Sequence, residues 1–161
     1  MSYMTIRQIK HEICLNKLRD LGCEVISIQG VMFYVKCPLS ELDISYVYHL
    51  NPDNTFDLER IKPYFISVGN LTTEKEVVDL ISIDIKQFKN AKKSQNFNMF
   101  VDADRELANM VKAFEDLFLY YNIDKEDISL IKGEIRGLKE LLLKVKSKSK
   151  RIFYDKDPDN I

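Results

Sequence analysis

Histidines, cysteines and clustered carboxylates carry most protein chemistry, and in this chain they are few and scattered. The two histidines, His11 and His49, fall in different expected elements and lack HxxxH or HxxE spacing. Zinc needs about four converging ligands, and no Cys/His cluster supplies them. Of the three cysteines, Cys14 lies on an expected helix, while Cys23 and Cys37 bracket the stretch CEVISIQGVMFYVKC. Gln29-Gly30 reads as a two-residue turn, since glycine accepts the positive φ of primed hairpin turns. That register sets Ile26 opposite Phe33 and Cys23 opposite Lys36, and it points Cys37 to the other side of the sheet from Cys23. Disulfide Cβ atoms lie about 3.5–4.5 Å apart, so this pair is excluded. An odd cysteine count without CxxC spacing fits three free thiols in a reducing compartment.

Asp43, Asp57 and Glu59 fall on adjacent expected strands. A catalytic carboxylate pair needs one member whose pKa is raised in a buried pocket; these three read as solvated strand faces. The nucleophile elbow GxSxG is absent, as are the phosphate loops GxxxxGK[ST] and GxGxxG. The sequence assigns no catalytic residue, no metal ligand and no cofactor. An enzyme with its site on the sheet near His49 is the weakest of three function classes.

Nucleic-acid chemistry has a second set of residues. In KNAKKSQNFNMF, Lys89, Lys92 and Lys93 interleave with Phe97 and Phe100. Lysines would neutralise phosphate while phenylalanines stack on unpaired bases. The tail segment KVKSKSKR adds further cations. No helix-turn-helix or RNP-like pattern frames them, and the competing reading is a solvated linker followed by lysines that complement a helix C-terminus.

The elements that must position these residues follow from periodicity. A helix is expected over residues 5–21, with Thr5 as cap and Gly22 as stop. The hairpin follows it. LDISYVYHL alternates Ile44, Tyr46, Tyr48 and Leu50 against Ser45, Val47 and His49, a strand pattern. NPDN is a turn, so TFDLERI returns with Phe56 opposite Leu50 and Leu58 opposite Tyr48. Pro63 must lie outside that strand or at an edge, and YFISVG makes a short further strand. Residues 73–88 permit strand or helix. The capping-box spacing of Thr73 and Glu76 favours helix, with Val77, Val78, Ile81, Ile85 and Phe88 on one face. Residues 1–90 thus form an α-β-β-β-β-α unit, an α+β domain with a small antiparallel sheet.

From Asp102 or Asp104 onward the pattern becomes heptad-like. Leu107, Met110, Phe114, Leu117 and Tyr121 repeat, then Ile128, Ile131, Ile135, Leu138, Leu142 and Val145, with Asp124 as the cap between them. This predicts a long antiparallel helical hairpin, coiled-coil-like, over residues 98–147. Residues 148–161 read as a mobile tail. On the last helix, Leu130, Gly133, Gly137 and Leu141 line a second side, where small-xxx-small spacing admits a close partner.

The composition is 45% hydrophobic and 30% charged, with a formal net charge of −1, which gives no global pull toward nucleic acid or acidic lipid. No run of about 18 apolar residues spans a membrane, and the N-terminus lacks a signal peptide's apolar core. The expected place is the cytoplasm. The leading expectation is a non-enzymatic protein-interaction or adaptor module, forming a homodimer, that binds a partner protein through its helical hairpin or its open sheet. A nucleic-acid-associated protein using linker and tail lysines is the alternative.

Overall fold

The computed structural model describes residues 32–39 and 42–161, together with Ile9, Ile13, Asn16, Lys17 and Asp20, which are helical. The expectations for His11, Cys14, Cys23, the Gln29-Gly30 turn and the first strand lie outside the described residues.

Four strands, β1 (Met32–Leu39), β2 (Leu42–Leu50), β3 (Phe56–Lys62) and β4 (Ile66–Leu71), form a meander, each antiparallel to the next. Alternation sets one face of this sheet inward. Ile44 and Tyr46 of β2 and Phe56 and Leu58 of β3 are buried, with Val35, Cys37 and Leu39 of β1 packed beside them. Cys37 is a half-buried free thiol. Leu50 pairs with Phe56 and Tyr48 with Leu58, the register that the five-residue loop imposes. In that loop Asn54 takes a positive φ of 62°, which asparagine tolerates. The Asn51 N–H donates to Thr55 O at 2.7 Å. β3 ends at Lys62, just before Pro63.

Helix α1 (Glu74–Ala91) lies against β3 and β4. Its start is a complete capping box: the Thr73 hydroxyl accepts from the Glu76 N–H at 3.2 Å, and the Glu76 carboxylate accepts from the Thr73 N–H at 3.3 Å. Val77 and Phe88 are buried, and Leu80, Ile81 and Ile85 pack around them. Val78, expected on the same face, is exposed, because it sits about 100° around the helix from Val77. Two longer helices follow, α2 (Phe97–Tyr120) and α3 (Lys125–Lys148). The whole is an α+β fold, sheet first and helices after.

Candidate partner-binding site

The sheet body anchors α2 by its first turn. A helix start at Asp102 or Asp104 was expected; the helix begins at Phe97 with Asn96 as its N-cap, and the Asn96 side chain makes no capping hydrogen bond. Burial explains the earlier start. Phe97 and Val101, one turn apart, enter the core, and the Phe97 ring meets Phe88 edge to face at 6.2 Å. Residues 89–96 are therefore no extended linker. They are the end of α1 and a tight turn, in which Lys93 N–H donates to Asn90 O at 3.1 Å and Ser94 N–H to Ala91 O at 2.9 Å. The core crosses the boundary expected between residues 90 and 98.

This placement bears directly on the lysine–phenylalanine set. Lys92 Nζ donates to Leu39 O at 2.9 Å, and the Phe100 ring stands edge-on to Tyr64 at 5.7 Å. Lys89 and Lys93 are exposed. A base cannot stack on a ring the core already covers, so Phe97 is not available for that role.

From this anchor α2 runs outward for 24 residues, and after a turn at residues 121–124 α3 runs for another 24. At 1.5 Å per residue each is about 36 Å long. Asp124 occupies the N-cap position of α3 with extended backbone but without a side-chain capping bond. Glu126 and Asp127 in the first turn and Lys146 and Lys148 in the last complement the helix dipole. The far end of α3 comes back to the body: Leu142 and Val145, with Gln87 of α1, line a cleft of about 760 Å³. The tail forms its remaining wall, through residues such as Ile152 and Phe153. Asn90 Nδ2 donates to Ile152 O at 2.9 Å, and Lys86 Nζ lies 3.6 Å from Asp155 Oδ2.

Along their length α2 and α3 make no extended close backbone approach. Most heptad positions stay open accordingly, Ile128 and Ile131 being half-buried. Leu117 is 37% exposed, Leu138 39% and Phe114 40%, whereas a packed core position is almost wholly covered. Val111 and Phe118, beside this row, are more exposed still, and none of α3 is buried. The result is a broad apolar band on two helices that projects from a small core. Monomers rarely leave so much contiguous apolar surface uncovered.

The second side of α3 is also open. Leu130 and Leu141 are exposed, and a Cβ added at Gly133 or Gly137 would meet nothing within 4 Å.

One cluster lies outside the candidate residues singled out from the sequence. Arg60 of β3 is 6% exposed, and its Nη1 lies 2.6 Å and 2.8 Å from the two Asp84 oxygens of α1. The Tyr46 hydroxyl donates to Asp84 Oδ2 at 2.7 Å. The Arg60 guanidinium lies between the Tyr64 and Phe88 rings, 4.6 Å and 4.7 Å from their centroids, a cation–π sandwich. Burial, then the bond to Asp84, pushes the Tyr46 hydroxyl far above its usual range. Tyr46 is thus a fixed hydrogen-bond donor, with no proton to exchange near neutral pH. Asp104 at the base of α2 is pushed up by burial, an effect that the nearby Arg60 charge opposes. This is a core lock with its charges already matched.

On the sheet, His49 Nε2 lies 3.4 Å from Asp57 Oδ2. Asp57 accepts from Asn70 Nδ2 at 2.7 Å, which holds its carboxyl below the ordinary range. Asp43 pairs with Lys36 at 2.8 Å. Asp43 and Asp57, which with Glu59 read as solvated strand faces, are each engaged with a different neighbour. Among the described residues no three His, Cys, Asp or Glu side chains converge as metal ligands would. No helix among them is long and apolar enough to cross a membrane. Compared with known proteins, the chain matches no family model, no curated protein and no solved structure.

Proposed function

We propose that this chain is a non-enzymatic protein-interaction module of the cytoplasm, whose docking element is the α2–α3 pair. The observation that carries the reading is the apolar band on helices that the chain's own core leaves uncovered, with Phe118 58% exposed and Leu138 39%. Its occupant is another helical protein surface, because ridges of a helix fill the groove between two helices. The polar groups of the sheet and of α1 favour this reading over catalysis: Tyr46, Arg60, Asp84 and Asp57 already have partners.

A photoreactive side chain placed at Phe118, and in a separate protein at Glu59 on the sheet, tests this in the native host. A protein adduct through position 118 and none through 59 is the expected result. Adducts through 59 alone would move the docking site to the sheet and overturn the reading.

A further inference from the structure

The charges of the two long helices say which helical surface fits. Between Phe97 and Tyr120, α2 carries five carboxylates against two cations; between Lys125 and Lys148, α3 carries seven cations against four carboxylates. The excesses are opposite in sign, while the chain as a whole has a formal net charge of only −1. We propose that the apolar band on α2–α3 is covered by a second copy of the same chain, with α2 lying along the partner's α3 in an antiparallel four-helix bundle. The proposal rests on the interaction reading above and names its partner.

Symmetry sharpens it. Two copies meeting face to face through one patch share a two-fold axis in the contact plane. If that axis crosses the helices, α2 lies over the partner's α2, carboxylates meet carboxylates, and the cations of the two α3 helices face each other. An axis parallel to the helices places α2 over the partner's α3 on both sides, and every neighbouring pair of helices runs antiparallel. Opposite charges then meet along both seams. This geometry brings the two turns at residues 121–124 together at one end and both sheet bodies to the other.

The size is sufficient. Two helices of about 36 Å, each roughly 10 Å across, present a combined apolar surface of ~700 Å², close to the ~800 Å² per partner of a stable interface. Phe114, Phe118, Leu138 and Leu142 lie in that face, all of them exposed in the single chain. The low net charge leaves little long-range repulsion between copies.

Sedimentation equilibrium over a wide concentration range should give twice the 18.9 kDa chain mass. Phe118→Glu should shift the protein to the single-chain mass with its far-ultraviolet circular dichroism unchanged, since the position is open in the monomer. A photoreactive group at Asn122, in mixed isotope-labelled and unlabelled protein, should join chains at the partner's residues 119–126. A single-chain mass at all concentrations would overturn the proposal; a heterologous adduct through position 118 would still uphold the interaction reading. A dimer that survives Phe118→Glu overturns the assigned face, and cross-links from Asn122 to the partner's residues 142–150 overturn the assigned axis.

Discussion

Arg60 and Tyr46 are cross-strand partners in the sheet, and both end on the same Asp84 carboxylate of α1. A shift in register sets this up. Tyr46 pairs with Arg60 and Ser45 with Lys62, so Ile61 is an extra residue that opposes none on β2, the geometry of a β-bulge. Both polar groups then share the core face beneath Asp84.

Removing one member of a buried ion pair costs more than the pair contributes, because the other charge remains buried. Asp84→Ala should therefore lose about 3–5 kcal/mol. Tyr46→Phe should lose about 1.5–3 kcal/mol, the range for a hydrogen bond to a charged group, with Arg60 and Asp84 still paired. Urea denaturation of the two variants and the parent decides it. Equal losses would mean that the tyrosine, and not the charge balance, governs the lock.

The capping box predicts an acid limb. The N–H and hydroxyl of Thr72, then the N–H of Thr73, hold the Glu76 carboxyl below its ordinary value near 4.5. A depressed folded pKa contributes stability that is present above the unfolded value and lost as pH falls through the folded one. Asp53, bonded to Thr55, and Asp57, bonded to Asn70, act in the same direction. Asp104, raised by burial, acts oppositely, since the folded state holds its proton more readily. Glu76→Gln should melt below the parent at pH 7, and the gap should close toward pH 3. A gap independent of pH would remove the charge from the cap.

How much of this was legible follows from particular residues. The β2–β3 register was written in two alternating runs and a five-residue turn, and α1 in a capping box followed by apolar residues at helical spacing. The start of α2 was not, because Phe97 lies in a polar stretch and only the position of Phe88 shows what it packs against. The Arg60–Asp84 lock did leave a signal. Arg60 has the same parity as Phe56 and Leu58, and Asp84 lies on the helical face of Val77, Ile81 and Phe88. Two opposite charges, each on an apolar face, imply a buried pair. The openness of the α2–α3 band left none, since heptad spacing is the same whether the groove is filled from within the chain or by another copy.

The tail offers a separate test. Its links to α1 are one hydrogen bond from Asn90 and an exposed ion pair between Lys86 and Asp155, and exposed pairs contribute about 0–1 kcal/mol. Phe153 is half-buried beside Leu142 and Val145. Deleting residues 149–161 should lower stability by about 1–2 kcal/mol and leave the circular dichroism of the helices intact. Loss of the folded state on deletion would make the tail part of the core.

Gly137 separates the two sides of α3. Glycine inside a helix costs about 1 kcal/mol relative to alanine, and a Cβ at this position meets no atom within 4 Å. Gly137→Ala should therefore stabilise the chain by roughly 1 kcal/mol. Gly133 and Gly137 lie on the side of α3 away from Leu142, so the four-helix arrangement leaves them in solvent. Gly137→Leu should then sediment as the parent does, because the larger side chain projects away from the shared seam. A close approach by another backbone at this face gives the reverse outcome: the added side chain would crowd it and dissociate the assembly. Thermal melts of Gly137→Ala and sedimentation of Gly137→Leu should thus move independently, the first upward and the second not at all. Dissociation by Gly137→Leu would transfer the interface from the heptad seam to the glycine face.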